Sequence, residues 1–126
     1  IETAARRVAP VEPENGLRMY SKGTVTGRQY KTPINRIDSL CLDRRNQFVV
    51  VEYKKGRTAD DVVGQTLRYL GWVYVNLADN KRVRGIIVAE RIDEKLKYAI
   101  RGMQWSRGQE PITLIEHSFA LKPVEL

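Results

Sequence analysis

A short unbroken apolar run, Phe48-Val49-Val50-Val51, is followed by a helix-patterned stretch and then a second apolar run at Gly85–Ala89. No other feature constrains the fold as tightly. A run apolar at every position suits a strand buried on both faces. Between the two, Val63, Leu67, Leu70, Tyr74 and Leu77 recur at helical spacing and are expected to pack on a sheet. Thr58 reads as the N-cap, with Asp60 and Asp61 placing negative charge in the first turn. A strand, a helix running to about Leu77 and a further buried strand form the pattern of a right-handed parallel crossover.

The remaining segments extend this frame. Ile37–Leu42 reads as a strand closed by the polar turn Asp43-Arg44-Arg45-Asn46, and Gln47–Tyr53 as its partner, broken by Lys55-Gly56-Arg57. Upstream, Leu17–Ser21 is a candidate first strand, and Gly23–Pro33 reads as a loop or loose hairpin. Downstream, Asp93 caps a helix through about Ile100 that Gly102 ends, and Ile112–Phe119 is a last strand, placed at an edge by Pro111. The prolines and glycine of Pro10–Gly16 separate a short N-terminal helix from the rest. The expected whole is one α/β domain over residues 1–126, with residues 1–16 as helix and linker and a mixed central sheet flanked by helices.

No stretch approaches the roughly 20 apolar residues that span a bilayer, so no membrane partner is expected. Ile1–Pro10 carries Arg6 and Arg7 without an apolar segment, unlike a signal peptide. A chain beginning at Ile1 rather than Met is expected to be a piece of something longer. Cys41 stands alone, which excludes an internal disulfide and a cysteine-based zinc cluster and fits a reducing cytoplasm. The net charge of +7 and pI of 9.8 favour a polyanionic partner over a merely solvated basic surface only weakly.

The segment Val50-Val51-Glu52-Tyr53-Lys54 carries the chemistry. In an extended strand Val50, Glu52 and Lys54 share one face. A carboxylate and an ammonium therefore emerge together at the end of an apolar strand, where burial without a partner is costly. Antiparallel pairing across the Asp43–Asn46 turn brings Asp38 near Glu52. Two carboxylates and a lysine at a sheet edge suit a divalent cation and an activated water. A surface ion pair at a strand end is the other reading of Glu52 and Lys54, and spacing alone leaves both open.

Ile37-Asp38, thirteen intervening residues and Glu52-Tyr53-Lys54 together resemble the active-site motif of the PD-(D/E)XK nuclease superfamily. The segment Gly64-Gln65-Thr66-Leu67-Arg68-Tyr69-Leu70-Gly71-Trp72-Val73 is similar to the helix of the NucS/EndoMS-type endonucleases and their RecB-like relatives. So are Arg84–Ala89 and Ile92–Ala99. The likeness covers roughly Leu17 to Phe119.

It implies a restriction-endonuclease-like core and a Mg²⁺- or Mn²⁺-dependent DNA endonuclease acting on mismatched, branched or flap DNA. Such enzymes often work as homodimers with a separate N-terminal companion domain. By position, Asp38 and Glu52 would ligate metal with the Tyr53 carbonyl as third ligand, and Lys54 would be the catalytic lysine. Gln65 and Tyr69, one helical turn apart, would complete the catalytic set. Asn35-Arg36 stands where the family commonly has Gly-Arg. Many members carry a further acid on an N-terminal helix, for which Glu2 and Glu12 are candidates and neither is assigned.

Arg36, Arg57 and Arg68 flank the site and are candidate phosphate contacts, with solvated charge as the alternative. His117 reads as structural and Trp72 as packing, while Trp105 is a candidate stacking residue. Two other classes of function stay open. One is a catalytically inactive nucleic-acid-binding module that keeps the fold, and the other an accessory domain that mediates protein contacts.

Overall fold

A computed structural model describes residues 13–107 and 111–117, apart from the side chains of Arg57 and residues 104–107. The N-terminal helix expected before Pro10 lies outside the described residues. The described residues form eight strands and two helices: β1 (Arg18–Met19), β2 (Ser21–Lys22), β3 (Val25–Thr26), β4 (Arg28–Thr32), β5 (Asn35–Leu42), β6 (Phe48–Thr58), α1 (Asp61–Asn76), β7 (Val83–Ile92), α2 (Glu94–Arg107) and β8 (Ile112–Glu116).

The main sheet runs β1-β5-β6-β7-β8, with β4 also on β5, and β2 and β3 form a separate hairpin. β5 and β6 are antiparallel, whereas β6, β7 and β8 are parallel. The crossovers through α1 and α2 join these parallel strands, so the sheet is mixed, as the succession of apolar runs predicts. β8 lies at an edge of the strand order, also as expected.

Alternation along β6 and β7 sorts the apolar side chains into two clusters. Val50 and Ile87 face α1 and α2, together with Val63, Leu70, Val73, Leu96 and Ile100. Val49, Val51, Ile86 and Val88 face the other way, beside Cys41 and Tyr53. Both described helices thus lie on one face of the sheet.

Several expectations are corrected. The segment Lys55-Gly56-Arg57 does not break β6, which continues to Thr58 through an irregularity between Lys54 and Arg57. The parallel ladder resumes at Arg57↔Arg91 and Thr58↔Ile92, a constraint from a distant strand that local turn chemistry does not carry. Thr58 is accordingly a strand residue, not a cap, and its carbonyl accepts the Asp93 amide at 3.1 Å. Asp60 occupies the N-cap without a side-chain bond. The buried stripe of α1 is Val62, Val63, Thr66, Tyr69, Leu70 and Val73, leaving Tyr74 exposed. Gly102 does not end α2, because Leu96, Ile100 and Met103 continue one core-facing stripe past it. Asp93 does cap that helix, its Oδ1 accepting the Lys95 amide at 2.8 Å. In the segment read as a loop or loose hairpin, β4 is a full strand paired antiparallel with β5.

Gly27 shows why the N-terminal strands tuck so closely against β5. Its amide donates to Tyr20 O at 2.6 Å and its carbonyl accepts the Leu40 amide at 2.8 Å. A Cβ here would lie 1.9 Å from Leu40 O, a backbone atom that cannot step aside. Gly27→Ala is expected to cost about 3 kcal/mol in denaturant unfolding, through overpacking against fixed backbone. An unchanged midpoint would show that the N-terminal strands are not held at this contact.

Candidate active site

β5 lies between β6 on one side and β4 on the other. It pairs with β6 only from Ser39↔Val51 to Leu42↔Phe48, and with β4 from Arg28↔Ser39 to Thr32↔Asn35. The two strands of the β5–β6 pair therefore part company next to Asp38 and Glu52. Ile37 and Leu40, three residues apart, both enter the helix-facing cluster, although strict alternation would send them to opposite faces. The chain must twist across Asp38 and Ser39.

Side chains replace the ladder at this fork. The Asp38 amide donates to Glu52 Oε2 at 2.9 Å, and the Tyr53 amide donates to Asp38 Oδ2 at 2.9 Å. Each carboxylate thus satisfies the other strand's backbone with one oxygen and keeps the second in hand. Lys54 Nζ stands 3.8 Å from Glu52 Oε1. Glu52 is 1% exposed, so this is no surface ion pair at a frayed strand end. Burial, followed by repulsion from Asp38, pushes the Glu52 carboxyl up to about 7 against the pull of the Asp38 amide and Lys54.

Helix α1 closes the site from the core side. Tyr69 is 2% exposed, and its hydroxyl donates to Arg36 O at 3.1 Å and receives a longer contact of 3.4 Å from Gln65 Nε2. Burial and then the charges of Glu52 and Asp38 raise its phenol above the ordinary value. Tyr69 is therefore both a core residue and a strut that holds β5 just before Asp38. Gln65 is half-buried beside it.

Asp38, Glu52, Lys54, Gln65 and Tyr69 thus gather at one end of the sheet, on the strands and helix expected for them. The Tyr53 amide anchors Asp38, while its side chain packs on the opposite face near Cys41, where burial leads in pushing its phenol up to about 12. Arg36 and Arg68 are exposed, whereas the side chain of Arg57 lies outside the description, as do Glu2, Glu12 and the side chain of Trp105. His117 follows β8 with its side chain exposed, and its amide donates to Ala89 O at 2.8 Å. Trp72 packs against the core and meets the Tyr30 ring at 6.2 Å.

Sequence reasoning missed Glu90, whose Oε1 accepts the Gly56 amide at 2.9 Å and so fixes the irregularity directly after Lys54. An acid ending an apolar strand was the available signal. A cavity of about 300 Å³ lies away from this site, beside the Asp43–Asn46 turn, between Asp43, Arg44, Arg45, Arg82, Arg84 and their neighbours. Arg84 bridges Glu14 at 2.7 Å and Asp43 at 3.2 Å there, an ion-pair cluster that ties the turn to β7.

The two carboxylates offer a small oxygen donor set for a cation. Among the described residues no group of three or more His, Cys, Asp or Glu side chains is placed to hold a metal ion. No helix among them is long and apolar enough to cross a membrane.

Comparison with known proteins places the chain in a family and a shared fold. The endonuclease NucS of Sulfolobus acidocaldarius is 33% identical over 67 residues, which are 53% of this chain and 26% of that protein. The endonuclease NucS of Methanocaldococcus jannaschii is 34% identical over 62 residues, 49% of this chain and 23% of that one. The matched stretch thus spans about a quarter of each relative. Among solved structures, a repair endonuclease from Pyrococcus abyssi superposes with a TM-score of 0.68 at 20% identity, covering 95% of this chain and 48% of that chain. A chain of an EndoMS complex with double-stranded DNA gives 0.62 at 22% identity, covering 91% and 44%. At such identities these two likenesses establish the shared fold. The family model described as the endonuclease NucS C-terminal domain matches residues 17–114, most of the chain, which therefore belongs to that family.

Proposed function

We propose that this domain carries the cleaving centre of a divalent-metal-dependent DNA endonuclease, built on a restriction-endonuclease-like PD-(D/E)XK core. The observation that carries the reading is the reciprocal bonding of Asp38 and Glu52 at the fork, with Lys54 beside Glu52 Oε1. The NucS relatives and the DNA complex of a structural neighbour support the substrate class.

Asp38 Oδ1 and Glu52 Oε1, the oxygens not committed to backbone amides, would hold Mg²⁺ or Mn²⁺, with the Tyr53 carbonyl as third donor. Such an ion keeps several waters and needs few protein oxygens, so the donor set fits. When bound, it supplies charge neutralisation at the phosphate and a more acidic water. Lys54 orients the attacking water and offsets negative charge as the phosphorus is attacked. Gln65 presents an amide at the same opening. Tyr69 positions β5 rather than touching the reacting atoms. The arginines at positions 36 and 68 lie where a backbone phosphate could be met.

The test is cleavage of plasmid and of mismatched, branched and flap duplexes with Mg²⁺ or Mn²⁺ and with EDTA. Cleavage that depends on added metal and stops with EDTA is expected. A second reading, a non-cleaving DNA-binding module, draws on the absence of a third acidic ligand among the described residues. Tight, salt-sensitive binding with no cleavage in any metal would select it.

A further inference from the structure

The β4–β5 hairpin carries an arrangement that the cleaving centre does not use. Its register places Lys31 directly opposite Arg36, and both side chains are exposed. Like charges at a directly opposed pair destabilise a hairpin, and neither residue makes an ion pair among the described residues. On the opposite face of the same hairpin the central Tyr30–Ile37 pair packs inward. Ile37 is buried in the core, and the Tyr30 ring meets Tyr20 at 6.0 Å and Trp72 at 6.2 Å.

The tip is pinned as well. Thr32 Oγ1 accepts the Ile34 and Asn35 amides at 3.1 Å each and donates to Asn35 O at 2.6 Å. The Arg36 amide donates to Asn35 Oδ1 at 2.8 Å. This order holds Ile34 48% exposed at the end of a stiff arm. The arm is rooted in the active site, since Arg36 O receives the Tyr69 hydroxyl and Asp38 follows two residues later. Pairing of β5 with β6 has ended by that point, so the hairpin overhangs the fork.

The geometry points to the β4–β5 hairpin as a DNA-gripping arm, with Lys31 and Arg36 together receiving backbone phosphate beside the scissile position. This rests on the endonuclease reading and adds Lys31 as the partner cation that Arg36 requires. A duplex satisfies three features at once: the opposed cations, their outward face and their rigid presentation next to the cleaving carboxylates. Phosphate binding replaces the repulsion between the two cations with attraction of each to the polyanionic backbone.

Two variants of the full chain test it: Lys31→Glu, and Lys31→Ala combined with Arg36→Ala. Binding of a short fluorescent mismatched duplex is followed in EDTA across a salt series, beside thermal unfolding without DNA. Lys31→Glu creates an opposed ion pair, so its Tm should rise, by about 2 °C, while DNA affinity falls by about tenfold. The double variant should flatten the slope of log affinity against log salt by about 2, one unit per lost phosphate contact. A structural role alone would move stability and binding in the same direction. Wild-type binding and cleavage with an unchanged affinity and salt slope in both variants would overturn the arm and leave the endonuclease reading intact. A wild-type chain that neither binds nor cuts DNA would instead overturn that underlying reading.

Discussion

Asp38→Asn is expected to lower the single-turnover rate of duplex cleavage in Mg²⁺ by about 10³-fold while leaving the fold standing. The substitution separates two jobs done by one side chain. Asp38 Oδ2 accepts the Tyr53 amide, and the Asn side-chain oxygen can keep that bond across the β5–β6 fork. The Asp38 backbone amide still donates to Glu52 Oε2. What disappears is one negative charge and the oxygen free to face a cation. Repulsion from Asp38 is the second cause, after burial, of the raised Glu52 carboxyl, so the variant should also draw Glu52 back toward the ordinary carboxylate range. Activity should therefore collapse with no loss of thermal stability measured in EDTA. Loss of a merely supporting contact typically lowers metal affinity or rate by about 10- to 100-fold. A rate within about tenfold of wild type would remove Asp38 from the cleaving centre.

The candidate site was legible in the sequence where local rules govern it. Glu52 and Lys54 share a face because β6 is a regular strand at that point, and simple alternation finds them. The α1 crossover was legible for the same reason, since its apolar recurrence is long enough to outweigh noise. Asp38 was reached by hairpin distance, but the means of its arrival was hidden. Its carboxylate turns toward the β6 backbone because β5 twists between Ile37 and Leu40, and that twist comes from pairing with β4 on the other side. β4 itself was obscured by Gly23, Gly27 and Pro33, which read as loop punctuation. Gly27 is instead demanded by contact with Leu40, a residue distant in sequence. The run of β6 through Gly56 to Thr58 depends likewise on β7 and on Glu90. The stripe on α1 was displaced toward Thr66 and Tyr69 because a Thr that bonds Val62 O at 2.8 Å and a Tyr that bonds Arg36 O are both buried at little polar cost. Patterns that count only apolar residues pass over such positions.

Glu52→Gln is expected to stabilise the metal-free protein by about 3 kcal/mol at pH 8, and the size of the gain should depend on pH. The folded chain raises the Glu52 carboxyl from the ordinary 4.5 to about 7, which at about 1.4 kcal/mol per pH unit gives that magnitude. Between those two values the folded state holds a proton that the unfolded state has released, so stability falls as pH rises through the window. Below it both states are protonated and the wild type bears no penalty. Above it both are ionised, and the folded state carries a buried charge beside Asp38. Gln remains neutral throughout and can still accept the Asp38 amide, so its profile should lack this decline. Asp43 provides an internal contrast. Burial alone would raise its carboxyl, but bonds from Gln47, Arg84 and Arg45 hold it below the usual range, so its contribution is lost only as pH falls further. Denaturant unfolding in EDTA from pH 5 to 8 should show the two proteins diverging up to about pH 7 and holding a constant gap above it, and profiles parallel throughout would refute a buried, strained carboxylate at position 52. Added Mg²⁺ should recover stability in the wild type and much less in Glu52→Gln, because the cation offsets a charge that the variant lacks. Together these two results would mark Glu52 as a residue kept for a ligand at the expense of the fold's stability.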